Sequence, residues 1–231
     1  MPGTPSRARP GGSLAGGVCW VLAAVQYAVA QMVAAAAWQR PYSLRRNYLS
    51  DLGNTRCGWF AVAPSTPTYV CSPLHAVMNA SFVTAGVLVV AGAVLQRPTW
   101  PPGGTATAAG ALWVLDGLGR ITVGLVPENT NIGVHLLGAL NIPVGSIATL
   151  LTAVALRRSR PGLGLAGVAL GVLGLTATVL TGVAQHVDSE FYLGLGVGGL
   201  ERAAEYPATL WILLAGLAAA SGGSRRLRPS G

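Results

Sequence analysis

Six stretches of this chain run apolar for about 20 residues each, the length an α-helix needs to cross the hydrocarbon of a bilayer. They fall near 14–38, 73–95, 105–126, 134–156, 163–184 and 200–221. Each is bounded by Pro, Gly or charge, as helix ends are. Their apolar residues are continuous rather than alternating, which argues against membrane strands. Ser72-Pro73 predicts an N-cap followed by Pro at the first helical position, and Asn131 predicts a cap for the fourth helix. Pro143 predicts a kink in that helix and a freed carbonyl. The pattern therefore predicts an all-α fold, a polytopic transmembrane bundle of six helices over 14–221. Tails would cover 1–13 and 222–231, with one long loop at 39–72. One alternative concerns the first span. Arg7 and Arg9 precede an apolar run ending in small residues at 34–37, which resembles a signal peptide. The run is longer than a usual signal core, and its cleavage would leave five spans.

Composition agrees with this reading. Of 231 residues, 52% are hydrophobic and 10% charged. The charged share is under half the roughly 25% of soluble domains, which excludes a soluble globular enzyme, a disordered tail and a coiled coil. The net charge of +8 comes from Arg alone, since the chain has no Lys. The arginines lie in short clusters, with no basic helix interleaved with aromatics. The expected partners are membrane lipids rather than nucleic acid.

The arginines also predict orientation. An inside N-terminus gives one face Arg7, Arg9, Arg97, Arg157, Arg158, Arg160, Arg225, Arg226 and Arg228, and no acid. The positive-inside rule makes that face cytoplasmic, with both termini there, in a multi-pass protein of the cell membrane. All seven acids, Asp51, Asp116, Glu128, Asp188, Glu190, Glu201 and Glu205, then lie in the outer half or outside. Arg40, Arg45, Arg46, Arg56, Arg120 and Arg202 lie among them.

Ionisable residues within a span are costly and face the bundle or a water-filled cavity. Asp116 and Arg120 are four residues apart, on one face of the third helix. They must face other helices, either as an ion pair that offsets its own desolvation or as part of a site. Glu201 and Glu205 share a face of the last helix, and two like charges there need a cation from elsewhere. Arg45, Arg46 and Arg120 are the candidates. His75, His135 and His186 stand near the same ends of three helices. Three imidazoles at one level, with a carboxylate, could hold zinc or move protons. They could equally cap helix ends or bond backbone, and no H-E-x-x-H pairing occurs. Asn79 shares a face with His75, and Glu128, Asn129 and Asn131 form a tight turn before His135.

Cys57 and Cys71 share the long loop, which contains Pro64 and Pro67, and a disulfide is permitted where the outside is oxidising. Cys19 reads as a packing residue, and no C-x-x-C appears. Gly167 and Gly171 have the small-xxx-small spacing of close helix packing. Gly194, Gly196, Gly198 and Gly199 read as a flexible segment before the last span. No nucleotide loop or serine-hydrolase elbow accompanies any of these glycines.

Four blocks of the sequence together resemble a known family. The first runs Tyr42-Ser43-Leu44-Arg45-Arg46-Asn47-Tyr48-Leu49-Ser50-Asp51-Leu52-Gly53. The second is Ser72-Pro73-Leu74-His75 with Met78-Asn79-Ala80-Ser81-Phe82. The third extends from Gly119-Arg120 through Pro127-Glu128-Asn129-Thr130-Asn131 to His135. The last is Gly199-Leu200-Glu201-Arg202 with Tyr206-Pro207 and Trp211. This resembles the family catalogued as domain of unknown function 998, and it implies a six-span prokaryotic membrane protein without supplying a reaction.

Two function classes fit. In the first, an outward-facing polar pocket binds or processes an anionic lipid or isoprenoid head group. Asp51, His75, Asp116, His135 and Glu201 would be the acid–base or metal groups. Arg45, Arg46, Asn47, Asn79, Arg120, Glu128, Asn129, Asn131, Arg202 and Tyr206 would hold the ligand, because guanidinium suits phosphate and carboxylate. In the second, the protein is a non-enzymatic membrane scaffold or partner-binding protein. The opposite half of the bundle reads as dry, which argues mildly against transport.

Overall fold

A computed structural model of the chain describes residues 10–38, 40–61, 67–187 and 189–226. Arg7, Arg9, Pro64, Asp188 and Arg228 lie outside the described residues.

Seven helices build the fold: α1 (Pro10–Ala36), α2 (His75–Gln96), α3 (Gly104–Leu125), α4 (Ile132–Ala139), α5 (Asn141–Leu156), α6 (Pro161–His186) and α7 (Gly196–Arg226). Helices α4 and α5 together make one span, so six helical segments are long and apolar enough to cross a membrane. The protein is an integral, multi-pass membrane protein. The spans form a closed ring in chain order. Helix α1 packs on α2, α2 on α3, α3 on α5, α5 on α6, α6 on α7, and α7 closes back on α1. Loops join neighbours alternately at two ends. One end carries the 37–74 segment and most acids, and is called here the acidic end. The other carries Arg97, Arg157, Arg158 and Arg160, and is called the arginine end.

The packing follows from residue size. Leu, Val and Met side chains such as Leu22, Met32, Val87, Leu118, Leu165 and Leu217 point outward, where lipid solvates them. The interior is lined by Ala and Gly, which let backbones approach closely. Gly86 and Gly117 face each other where α2 crosses α3, and a methyl group on Gly117 would sit 2.6 Å from the Gly86 carbonyl. Gly167 and Gly171 are buried where α6 meets α5 and α7, the packing role their spacing predicts.

Trp20, Trp113 and Trp211 fill the centre of the arginine half, with ring centroids 5.4–5.8 Å apart. Indole N–H groups need acceptors when buried. Trp20 donates to the Val89 carbonyl at 3.1 Å, Trp113 to Thr152 Oγ1 at 3.0 Å, and Trp211 to the Leu163 carbonyl at 3.3 Å. The half expected to be dry is thus tied by indole hydrogen bonds that hydropathy does not reveal.

Three local expectations meet the structure differently. Asn131 does cap α4, its side chain accepting from Val134 N–H at 3.1 Å. The fourth span breaks at Leu140, three residues before Pro143, whose missing N–H leaves the Ala139 carbonyl without its helical donor. Ser72-Pro73, however, does not start α2. That helix begins at His75 after Leu74, and the Ser72 hydroxyl donates instead to the Leu52 carbonyl at 2.7 Å. Tertiary contact with the long loop takes the hydroxyl that local spacing assigned to a cap.

The long loop folds over the acidic end. A 3₁₀ turn at Ser50–Gly53 inserts Asp51, Leu52 and Gly53 into the bundle. Two short strands follow, β1 (Gly58–Phe60) and β2 (Thr68–Val70), paired antiparallel with Trp59 opposite Tyr69. Cys57 and Cys71 are joined at the base of this hairpin.

Candidate functional site

The deepest part of the site is an ion cluster between α3 and α7. Arg120 Nε donates to Asp116 Oδ2 at 2.9 Å, and its Nη1 meets Glu205 Oε1 at 2.7 Å. All three side chains are buried. Thr209 Oγ1 adds a 3.1 Å hydrogen bond to Glu205 Oε1. The Arg120 guanidinium also lies 5.7 Å from the Tyr27 ring centroid, a cation–π distance. Asp116 Oδ1 and Glu205 Oε2 have no hydrogen-bond partner. One cation therefore stands between two acids in a low-dielectric interior, where each group depends on the others.

Above this cluster is a small cavity of about 40 Å³, lined by Arg120, His135, Asn141, Glu201 and Glu205 among others. That is room for a few waters beside polar groups. Glu201 does not pair with an arginine. Its Oε2 accepts from the Leu49 N–H at 2.6 Å, which pins the long loop to α7.

The loop itself contributes a second acid pair. Asp51 Oδ2 accepts from Asn47 Nδ2 at 3.0 Å and from Tyr48 N–H at 2.9 Å. Glu128 Oε1 accepts from Asn54 Nδ2 at 2.9 Å. Asp51 and Glu128 are neighbouring acids that act on each other electrostatically. Burial pushes both acids above the ordinary carboxylate range, and at Glu128 the Asp51 charge adds to the effect. Such a pair shares a proton, since two adjacent buried anions repel.

Arg202 forms the third part. It is 7% exposed. Its Nη1 donates to the carbonyls of Leu44, Asn47 and Gly198 at 3.1, 2.9 and 2.7 Å. Its Nη2 donates to the Tyr42 hydroxyl, which in turn donates to the Tyr48 carbonyl at 2.6 Å. Burial holds the Tyr42 phenol protonated well beyond its ordinary range. Nε of Arg202 has no partner. Arg120 makes two ion pairs, whereas Arg202 makes none with the described residues.

Arg202 also lines a groove between α1 and α7 of about 550 Å³. Its polar end is formed by Arg202, Tyr42, Tyr206 and Gln31, with Tyr206 Oη donating to Gln31 Oε1 at 2.7 Å. Its walls are Ala24, Ala28, Met32, Leu210 and Leu213. The last helix begins at Gly196 rather than at 200. Gly194 and Gly196 take the left-handed conformation in the turn that leads in, and Gly198 lies buried inside the helix. Of the glycines read as a flexible segment, Gly196 and Gly198 are thus the seat on which the loop docks.

A family model described as Protein of unknown function (DUF998) matches residues 21–218, a stretch that reaches every one of the six spans. The chain belongs to that family. No curated protein and no solved structure matches it.

In this DUF998 protein the predicted site residues divide into two groups. Asp51, Asn47, Asp116, Arg120, Glu128, His135, Glu201, Arg202 and Tyr206 gather at the acidic end around the loop and the two cavities. The rest do not join them. Arg45 and Arg46 are exposed on the loop surface, so of the three candidate cations Arg120 is the one that meets the glutamate face, and it pairs there with Glu205. Asn79 donates to the Gly53 carbonyl at 2.9 Å, and Asn129 and Thr55 exchange hydrogen bonds at 3.2 Å, both holding the loop. Asn131 is spent on its cap.

The three histidines are not brought to one centre. Each faces a backbone carbonyl through Nδ1: His75 that of Ser72 at 2.9 Å, His135 that of Val126 at 2.8 Å, and His186 that of Gly182 at 2.9 Å. His186 is exposed at the end of α6. Among the described residues no group of three or more His, Cys, Asp or Glu could hold a metal ion. Sequence reasoning missed Gln31, Asn54, Thr209 and the backbone carbonyls around Arg202. Carbonyl cradles leave no mark in composition, and Gln31 and Thr209 sit in apolar runs that read as plain span.

Proposed function

We propose that the protein binds an anionic amphiphile of the membrane in the α1/α7 groove, head group toward Arg202 and hydrocarbon along Ala28, Met32, Leu210 and Leu213. The observation that carries this reading is a buried guanidinium without an ion pair, at the polar end of an otherwise apolar groove. An unpaired buried cation is unfavourable. A phosphate or carboxylate meeting Nε would relieve it with a charge-assisted hydrogen bond. Exposed apolar residues of α1 and α7 flank the groove, so a lipid can enter sideways from the bilayer.

By the positive-inside rule, the arginine end faces the cytoplasm of the cell membrane and the acidic end, with its disulfide hairpin, faces outward. Labelling of a single cysteine introduced at Trp59, against one at Arg158, with a membrane-impermeant maleimide in intact cells checks this. Labelling at position 158 alone overturns it.

The binding test uses purified protein in nanodiscs of phosphatidylcholine doped with phosphatidylglycerol, followed by delipidation and mass spectrometry. Retained phosphatidylglycerol should be lost in Arg202→Gln, and in Ala28→Trp, which fills the groove from an exposed position. Retention of neither lipid in preference, in a folded wild-type protein, overturns the proposal and leaves a scaffold role ahead.

A further inference from the structure

We infer a second, separate site at the arginine end: an indole-walled cavity that takes a phosphate group. It does not rest on the α1/α7 groove. The cavity measures about 210 Å³ and is lined by Trp20, Trp100, Trp211, Gln96, Ser159 and Arg160 with their neighbours. Two observations point independently to a ligand there.

The first is Gln96. Its side chain is 3% exposed, yet Nε2 has no hydrogen-bond partner. A buried amide donor left unmade costs the desolvation of that group, so an acceptor in the cavity would recover it. The helix contact is close enough to hold the side chain there, since a methyl group on Gly16 would sit 2.7 Å from Gln96 Cγ.

The second is charge. Arg160 is half-buried in the cavity wall. The loops at this end, 97–103 and 157–160, carry Arg97, Arg157, Arg158 and Arg160 and no acid. Ser159 lines both this cavity and an adjoining one of about 360 Å³ that Arg157 and Arg158 also line. The indole N–H groups of Trp20 and Trp211 are already donated to backbone. The donors left for a ligand are Gln96 Nε2, the Trp100 indole N–H and the Arg160 guanidinium, which together suit an anionic acceptor. Guanidinium favours phosphate geometry, and basic pockets between helices at a membrane surface hold anionic head groups. A phospholipid head group and a free phosphate present the same acceptor chemistry, and the titration below separates the two sources.

Tryptophan emission reads this cavity directly, because three of its walls are indoles and the α1/α7 groove contains none. The experiment uses the full chain in dodecyl maltoside carrying Arg202→Gln, so that the other groove is silenced. Dioleoyl-phosphatidylglycerol, dioleoyl-phosphatidylcholine and inorganic phosphate are titrated separately. A saturable emission change with phosphatidylglycerol, absent with phosphatidylcholine, identifies a lipid phosphate. A change with inorganic phosphate at comparable concentration identifies a free one. In either case Gln96→Leu and Arg160→Gln should each weaken the response by about tenfold, the worth of one charge-assisted hydrogen bond. Arg160→Lys, which keeps the charge, should weaken it less. No response to either phosphate source, or one that survives both substitutions in folded protein, overturns the site.

Discussion

Arg120 Nη1 lies 2.7 Å from Glu205 Oε1, and that contact joins α3 to α7 across a ring in which the two helices are not chain neighbours. Arg120 also holds Asp116 on its own helix, so its removal strands two buried acids at once. Breaking a buried pair on one side costs about 3–5 kcal/mol. Arg120→Met should therefore lower the thermal midpoint of the detergent-purified protein sharply. Combining it with Asp116→Leu and Glu205→Met should recover most of the loss, because no charge is then left unpaired. If the single variant melts with the wild type, the cluster does not hold the helices together.

The Asp51–Glu128 pair predicts a pH dependence. Both folded-state pKa values are raised by burial. A raised carboxyl contributes stability that is complete below its unfolded value and is lost as pH rises through the folded value. Docking of the loop should thus be tightest in acid and loosen as the buffer passes above the ordinary carboxylate range. Glu128→Gln keeps a neutral group on Asn54 and should flatten the profile. Protease susceptibility of the 37–74 segment as a function of pH is the measurement. A flat wild-type profile would exclude a shared proton.

The helices and the interior acids were legible because lipid imposes length on a span and makes a buried charge conspicuous. Asp116 with Arg120, and Glu201 with Glu205, stand out by spacing alone. What could not be read was which charge meets which. Glu201 meets the Leu49 amide, 152 residues away, and Arg202 meets carbonyls of the loop rather than acids. Those partners are backbone groups, identical at every position, and only the folded path of the loop selects them. The same blindness made Ser72 read as a cap and the histidines as a cluster. In both, the decisive acceptor is a carbonyl.

The Cys57–Cys71 bond closes a loop with a sequence separation of 14, a length for which chain entropy predicts about 3 kcal/mol. The hairpin it closes carries Trp59 exposed at its surface and sits outside the bundle. Replacing both cysteines by Ser should expose the 57–71 segment to protease. The melting of the bundle should shift little, because Asp51, Asn54 and Leu49 anchor the loop ahead of the bridge. Equal losses in both assays would show that the hairpin, not the 3₁₀ turn, is what fastens the loop.

Gly198 offers the sharpest test of the Arg202 cradle. A methyl group there would run into the Asn47 carbonyl and lie 2.7 Å from that of Leu44, two of the acceptors that hold the guanidinium. Alanine favours a helix over glycine by about 1 kcal/mol, so by helix propensity alone Gly198→Ala should stabilise α7. Crowding a packed interface costs about 1–3 kcal/mol, and here the crowded atoms are backbone that cannot rotate away. The variant should be destabilised on balance. It should also lose phosphatidylglycerol retention in the nanodisc assay, while Gly199→Ala, whose methyl would meet only Leu195 Cβ at 3.1 Å, should keep it. If both alanines behaved alike, the close approach of the loop to α7 would not be what positions Arg202.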